Sequence, residues 1–114
     1  MIGRMADDET ENVVPFRRPL EAEAALELIR RSLEDTGRML GWTDHVYDQM
    51  AERGIVTDQV LTALGEGALL KGPTWDPEHK DWVCVLKKFV AGRPVHVVAG
   101  VHEVRQEVTV VTAY

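Results

Sequence analysis

The stretch Thr43–Gly67, "TDHVYDQMAERGIVTDQVLTALGEG", predicts two short helices joined by almost no loop. In the first helix, Val46 and Met50 recur at helical spacing and are expected to pack inward. Gly54 is suited to end the first helix, and Thr57 is suited to cap the second, with Asp58 at its first position. The stretch therefore indicates a tight helical hairpin.

A third amphipathic helix is predicted before this hairpin, over residues 20–38. Its apolar residues keep a helical rhythm, and acidic residues occupy its first turn, which the helix dipole favours. Residues 1–19 are acidic and polar and then proline-bearing, so they are expected to form a flexible N-terminal arm. We thus predict a single domain over residues 20–114, in which helix 20–38 is added to a core over residues 40–114.

Strands are predicted after the hairpin. The runs 82–90, 95–102 and 108–114 are rich in β-forming residues and are separated by short turns, which is typical of an antiparallel meander. The run "ALLK" (68–71) suggests one more short strand, whereas "GPTWDPEHKD" (72–81) reads as a loop because it contains two prolines. The predicted fold class is α+β, with the N-terminal helices packed on one face of a three- to four-stranded antiparallel sheet.

Composition narrows the possible functions. The chain has 114 residues, 45% of them hydrophobic and 28% charged, as in an ordinary soluble domain. Its net charge of −6 opposes nucleic-acid binding, which draws affinity from excess lysine and arginine. The lone cysteine, Cys84, permits no intramolecular disulfide and is read as a small buried hydrophobe, which fits a cytoplasmic location. No apolar run approaches the ~18 residues that span a membrane.

Three polar residues form a slanted row along the first hairpin helix: His45, Gln49 and Arg53. RNA cleavage without a metal needs a base, an acid and a cation for the phosphorane charge, and His45 and Arg53 have suitable chemistry. The alternative is a boundary row, in which His45 hydrogen-bonds locally and Arg53 complements the helix dipole. The sequence leaves both interpretations open.

The strands contribute a second group of candidate residues. Period-two alternation places Lys87 and Lys88 on opposite faces of the sheet, and His96 on the face opposite the aliphatic residues. That aliphatic side is expected to face the helices, so His96 would lie on the outer face. Tyr114 either packs on the sheet edge or serves as an acid or hydrogen-bond donor.

Metal binding is not expected. His96 and His102 share a strand face but stand about 20 Å apart at ~3.3 Å per residue. His45 and His79 lie on separate elements, and their spacing matches no common ligand motif. The sequence also lacks a glycine-rich phosphate loop, so no cofactor is predicted.

The motifs "H-x-x-x-x-M-x-x-R-G-I", "L-x-x-G", "P-V-H-V-V" and "V-x-T-x-Y" occur in this order between residues 40 and 114. Together they resemble a bacterial domain family of unknown function that is similar to RelE/ParE-like toxins, including the motility quorum-sensing regulator type. The resemblance implies a RelE-like fold, metal-independent cleavage of mRNA and an antitoxin-like protein partner. Carried over by position, it implies five candidate residues, His45, Arg53, Lys87, His96 and Tyr114. We predict catalytic roles for His45, Arg53, Lys87 and His96, and substrate-binding roles for Gln49, Lys88 and Tyr114.

The chain departs from this family pattern at one residue and in its charge. Gln49 stands where many members carry a basic residue, and the chain is acidic whereas RNA-cleaving toxins are usually basic. The expected ribonuclease activity is therefore weak or lost. The alternative prediction is a non-catalytic protein-interaction module that forms a homodimer through helix 20–38.

Overall fold

The computed structural model describes residues 19–34 and 40–114. Its three helices are α1 (Ala22–Glu34), α2 (Asp44–Arg53) and α3 (Thr57–Glu66). Its five strands are β1 (Leu40–Trp42), β2 (Ala68–Asp76), β3 (Asp81–Val90), β4 (Arg93–His102) and β5 (Glu107–Ala113). The predicted arm, apart from Pro19, and residues 35–38 of the predicted first helix lie outside the described residues.

The predicted helical hairpin is confirmed. Gly54 ends α2 with φ 68°, a left-handed conformation that glycine adopts at little cost. Its N–H donates a hydrogen bond to the Ala51 carbonyl in the last turn of the helix. Val56 is the N-cap of α3, and the Gln59 side chain accepts a hydrogen bond from the Val56 N–H at 2.9 Å. The residue predicted as the cap, Thr57, is the first residue of the helix instead. A single residue, Ile55, separates Gly54 from Val56, and its side chain is buried. The hairpin is therefore fixed at its bend by both caps and packing.

The sheet is larger than predicted, and it is mixed. Its strand order is β1-β5-β4-β3-β2, and β1 pairs with β5 in parallel while the remaining pairs are antiparallel. The prediction of three or four antiparallel strands was wrong in this respect. β1 has only three residues, too few to show a period in the sequence.

The predicted loop over residues 72–81 was also wrong in its first half. Residues 72–76 belong to β2, which lies at the edge of the sheet. Pro73 is tolerated there because an edge strand need not donate every N–H, and the pairing with β3 shifts register between Lys71 and Thr74. Pro73 therefore indicates an edge strand in this chain, and not a loop.

The core lies between the helices and one face of the sheet. As predicted, alternate strand residues face the helices, and the aliphatic side of β4 is fully buried. The buried strand side chains on β3 and β4 are Trp82, Cys84, Leu86, Val95, Val97, Ala99 and Val101. The other face of the sheet, which we call the open face, carries the residues that alternate with these, and they include both polar and apolar side chains.

Helix α1 packs its apolar stripe on its own chain. Ala25, Leu28 and Ile29 are buried. The helix contacts α3 and the strands β2, β4 and β5. The stripe from which dimerisation was predicted is thus used within the chain, and homodimerisation stays a prediction. No helix in the described residues is long and apolar enough to cross a membrane.

Candidate functional site

The edge of β5 is covered in two steps. β1 pairs only with Val108–Val110, so the carbonyl groups that follow need other donors. Thr43, which precedes α2, donates its N–H to the Val110 carbonyl at 3.1 Å and its hydroxyl to the Val111 carbonyl at 3.0 Å. Thr43 therefore joins the end of β1 to the beginning of α2 along the edge of β5.

The polar row of α2 continues this edge. The Thr112 hydroxyl donates to the Gln49 side-chain oxygen, and Arg53 Nη1 donates to the Ala113 carbonyl at 2.7 Å. Two members of the row thus attach α2 to the last residues of β5. His45, the third member, contributes to a cleft on the open face of the sheet.

His96 and Tyr114 form a stacked pair. Their ring centroids are 4.8 Å apart, and the ring planes differ by 3°. The backbone holds the two residues in this position, because His96 N–H donates to the Tyr114 carbonyl at 2.6 Å and Tyr114 N–H donates to the His96 carbonyl at 2.8 Å. The last residue of the chain is thereby fixed on the sheet beside a strand histidine.

Lys87 stands next to this pair. It is the register partner of His96 on β3, so the two side chains share the open face. Its ammonium lies 5.6 Å from the ring centroid of Phe89, which is 65% exposed. Within residues 19–34 and 40–114, Lys87 forms no ion pair. Lys88, in contrast, lies on the helix side, where its ammonium is 3.7 Å from a Glu66 carboxylate oxygen.

We call this group the cationic end of the open face: Lys87, Phe89, His96 and Tyr114. The structure therefore brings together two of the four residues predicted to be catalytic, Lys87 and His96, together with Tyr114. Arg53 instead lies at the neighbouring edge of β5, where it donates to the carbonyl just before Tyr114. The catalytic roles of all four residues stay a prediction, as do the roles of Gln49 and Lys88.

The opposite end of the open face carries a cleft of about 430 Å³, which we call the acidic cleft. Neighbouring strands place Asp76 beside Asp81, and His102 beside Glu107. Because Trp82 pairs with Val101, the preceding and following residues, Asp81 and His102, also stand side by side. The other lining residues are Thr43, His45, His79, Val83, Val98, Gly100, Arg105, Thr109 and Val111.

Hydrogen bonds orient two histidines of this cleft in opposite ways. His79 Nδ1 lies 2.8 Å from Asp76 Oδ2, which lowers the pKa of Asp76 and raises the pKa of His79. His102 Nδ1 instead accepts the backbone N–H of Arg105 at 3.2 Å. When His79 is neutral, its proton sits on Nδ1 and its Nε2 is a hydrogen-bond acceptor. When His102 is neutral, its proton sits on Nε2, which is then a hydrogen-bond donor.

Asp81 lies against the bare backbone of Gly100. A Cβ atom at Gly100 would collide with the Asp81 carboxylate, so glycine leaves the space that the carboxylate occupies. Burial, and then the negative charge of Asp76, raise the pKa of Asp81, while the nearby imidazoles of His79 and His102 lower it to a smaller extent. Among the residues that the structure describes, Asp81 makes no ion pair and no hydrogen bond with another side chain.

One acidic group at the rim has donor atoms of the type that metals use. Ligand atoms of Asp76, Glu78 and His79 lie within 4.8 Å of one another. However, Asp76 accepts hydrogen bonds from both of the other residues, and Glu78 and His79 are exposed. This geometry serves the turn between β2 and β3, and it gives no separate indication of an ion.

The family model described as a domain of unknown function, DUF4258, matches residues 42–114. The chain belongs to this family. No curated protein and no solved structure matches the chain. The matched residues contain both ends of the open face, whereas α1 precedes the DUF4258 domain.

Sequence reasoning missed the acidic cleft of the DUF4258 domain. Asp76 and Asp81 both lie within the segment 72–81 that was predicted as a loop, and His102 was considered only as a possible metal partner of His96. The cleft could have been found from the charged or titratable residues at the strand ends, Asp76, Asp81, His102 and Glu107. That inference requires the register between strands, which the sequence alone does not give.

Proposed function

We propose that this DUF4258 protein is a small RelE/ParE-like toxin that cleaves RNA without a metal ion, at the cationic end of its open face. The observation that carries the proposal is the stacked His96–Tyr114 pair with Lys87 in register beside it. These three side chains offer an imidazole, a phenol and an ammonium that pairs with no described carboxylate, all on the open face. Such a set matches the base, the acid and the cation that RNA cleavage needs.

The proposed reaction is an attack by the ribose 2′-hydroxyl on the neighbouring phosphate. His96 takes the 2′-hydroxyl proton as the O2′–P bond forms, and Lys87 stabilises the charge of the phosphorane. The P–O5′ bond then breaks, and the Tyr114 hydroxyl supplies the proton to the leaving oxygen. The products are a 2′,3′-cyclic phosphate and a 5′-hydroxyl, so no oxidant or co-reactant is required.

Two further features suit a single-stranded substrate. The Phe89 ring is 65% exposed and the Tyr114 ring belongs to a residue that is 46% exposed, so both offer faces on which bases can stack. Arg53 places a guanidinium beside the end of β5, although its hydrogen bond to Ala113 also gives it a structural role. The overall charge of −6 opposes RNA, which supports weak activity.

The proposal is tested by cleavage of a 5′-labelled single-stranded RNA with purified protein in the presence of a chelator. We expect cleavage to leave cyclic phosphate ends and to fall at least ~100-fold in His96→Ala, the usual scale for a lost acid or base. Lys87→Ala should also lose activity. Lys88→Ala is the matched control, because it removes the same side chain from the neighbouring position on the helix side.

Each outcome decides the proposal once thermal melting shows that the variants are folded. Parent-level cleavage by His96→Ala would reject His96 as the base. If Lys87→Ala and Lys88→Ala lose the same fraction of RNA cleavage, the activity depends on the overall charge of the protein and not on the proposed site. Absence of cleavage by the folded parent, together with normal growth of a bacterial host on induced expression, would reject the toxin function.

A further inference from the structure

The acidic cleft contains a carboxylate, that of Asp81, with which no described side chain forms an ion pair or a hydrogen bond. Asp81 is partly buried against Gly100. Withdrawing a carboxylate from water without a partner is unfavourable. A cationic ligand with N–H donors would supply the missing partner, provided that the cleft admits it.

The groups around Asp81 favour a cation. The cleft is lined by three carboxylates, on Asp76, Asp81 and Glu107, and by one permanent cation, Arg105. Arg105 already stands 3.7 Å from Glu107, so it does not neutralise Asp81. The remaining titratable groups that face the cleft are the imidazoles of His45, His79 and His102. The cleft is therefore negative whenever these imidazoles are neutral, and it repels phosphate groups.

The floor of the cleft is apolar. Val83, Val98 and Val111 line it. Its volume of about 430 Å³ falls within the range of ligand pockets, roughly 300–1,000 Å³. A negative rim around an apolar floor suits a ligand that combines a cationic head with an aliphatic stem.

We infer that the acidic cleft binds an arginine side chain of a partner polypeptide, with Asp81 accepting two hydrogen bonds from the guanidinium group. The planar guanidinium fork matches a carboxylate in bidentate fashion, which an ammonium cannot do. The methylene stem of arginine would cover the valine floor while its head reaches the carboxylate. This site is distinct from the cationic end, and the inference does not depend on RNA cleavage.

Titration of ¹⁵N-labelled full-length protein with Nα-acetyl-arginine N-methylamide, followed by NMR, tests the inference. We expect chemical-shift changes at the amides of Asp81, Gly100 and His102. The corresponding citrulline compound has the same shape without the charge, and it should bind at least tenfold more weakly. The lysine compound tests the bidentate geometry and should also bind more weakly than the arginine compound.

Three variants locate the binding. Asp81→Asn should weaken arginine binding at least tenfold, whereas Glu78→Gln removes an equal charge from the same turn and should leave binding unchanged. Glu78 is the matched control because it is exposed and does not line the cleft. Gly100→Ala keeps the carboxylate but displaces it, so it should weaken binding even if Asp81→Asn fails to fold.

Protonation of the cleft provides a further readout. Because Asp76 raises the pKa of His79, His79 gains a positive charge at a higher pH than an ordinary histidine. Arginine binding should therefore weaken as the pH is lowered through the His79 pKa. Binding that stays constant through this range would contradict a charge-driven site.

Several results would overturn the inference. Equal binding of citrulline, or equal losses in Glu78→Gln and Asp81→Asn, would show that no specific guanidinium site exists. Tighter binding of guanosine would assign the cleft to a nucleobase, and tighter binding of free arginine would assign it to the amino acid. If Arg17→Gln or Arg18→Gln shifts the Asp81 resonance in the free protein, the chain's own arm is the occupant and the partner is excluded.

Discussion

Replacing Arg53 with alanine removes one of the hydrogen bonds that attach α2 to the edge of β5. The Arg53 guanidinium donates to the Ala113 carbonyl at 2.7 Å. Hydrogen bonds from charged groups contribute about 1.5–3 kcal/mol, and the lower end applies because Arg53 is an exposed residue. We therefore expect Arg53→Ala to lower the free energy of unfolding by about 1.5 kcal/mol.

This loss is large enough to measure by thermal melting. For a domain of this size, 1 kcal/mol shifts Tm by about 4–8 °C, so Arg53→Ala should lower Tm by roughly 6–12 °C. Gln49→Ala, which leaves the Thr112 hydroxyl without its acceptor, should cost about 1 kcal/mol. Glu52→Ala is the control, because Glu52 is exposed on the same helix and forms no ion pair or hydrogen bond within the described residues.

The experiment separates the two interpretations of the α2 row. A lower Tm in Arg53→Ala, with the cleavage rate of the remaining folded protein unchanged, would show that the row is structural. An unchanged Tm with complete loss of RNA cleavage would refute the hydrogen-bond argument and make Arg53 catalytic. Urea unfolding at fixed temperature should rank the variants in the same order as thermal melting.

The other predictions concern packing and titration. Ile29→Asp should abolish folding because it buries an unpaired charge, whereas Leu26→Asp, on the half-buried side of α1, should leave a folded chain whose mass in solution tests dimerisation. In an NMR titration His79 should titrate above its usual 6.5, and Asp76→Asn should return it towards that value. Since its folded pKa is raised, any stability from the His79–Asp76 pair is present below pH 6.5 and is lost as pH rises through the folded pKa. Burial raises the pKa of the Cys84 thiol to about 11, so a thiol reagent should modify it only on unfolding.

The faces of the strands could be predicted from the sequence, whereas their register could not. Every second residue from Val95 to Val101 is aliphatic and buried. Because side chains alternate between the two faces of a strand, this pattern identifies the face that packs on the helices. The position of Lys87 opposite His96 depends on the turn between β3 and β4. Ala91 and Gly92 form it with φ 54° and 80°, a two-residue turn that matches the twist of a hairpin.

The predicted strands 82–90 and 95–102 left residues 91–94 for this turn, whereas the structure uses only Ala91 and Gly92, so the sequence did not define which side chains are neighbours across the strands. A shift of one residue moves every side chain of a strand to the other face relative to its partner. Likewise, β1 and the acidic cleft arise from pairings between distant segments. The helical hairpin was predictable because its signals, two caps and an apolar rhythm, all lie within one short stretch.

The two ends of the open face lie about 20 Å apart along β4, since six residues separate His96 from His102 at ~3.3 Å each. A polypeptide with its arginine in the acidic cleft would reach Lys87 after about six extended residues. An acidic residue at that distance would meet the cationic end and cover His96, as expected of the predicted antitoxin-like partner. A peptide with arginine and glutamate at this spacing should therefore inhibit RNA cleavage, and its citrulline version should not. Equal inhibition by both peptides would show that the cationic end alone binds the peptide and that the acidic cleft takes no part.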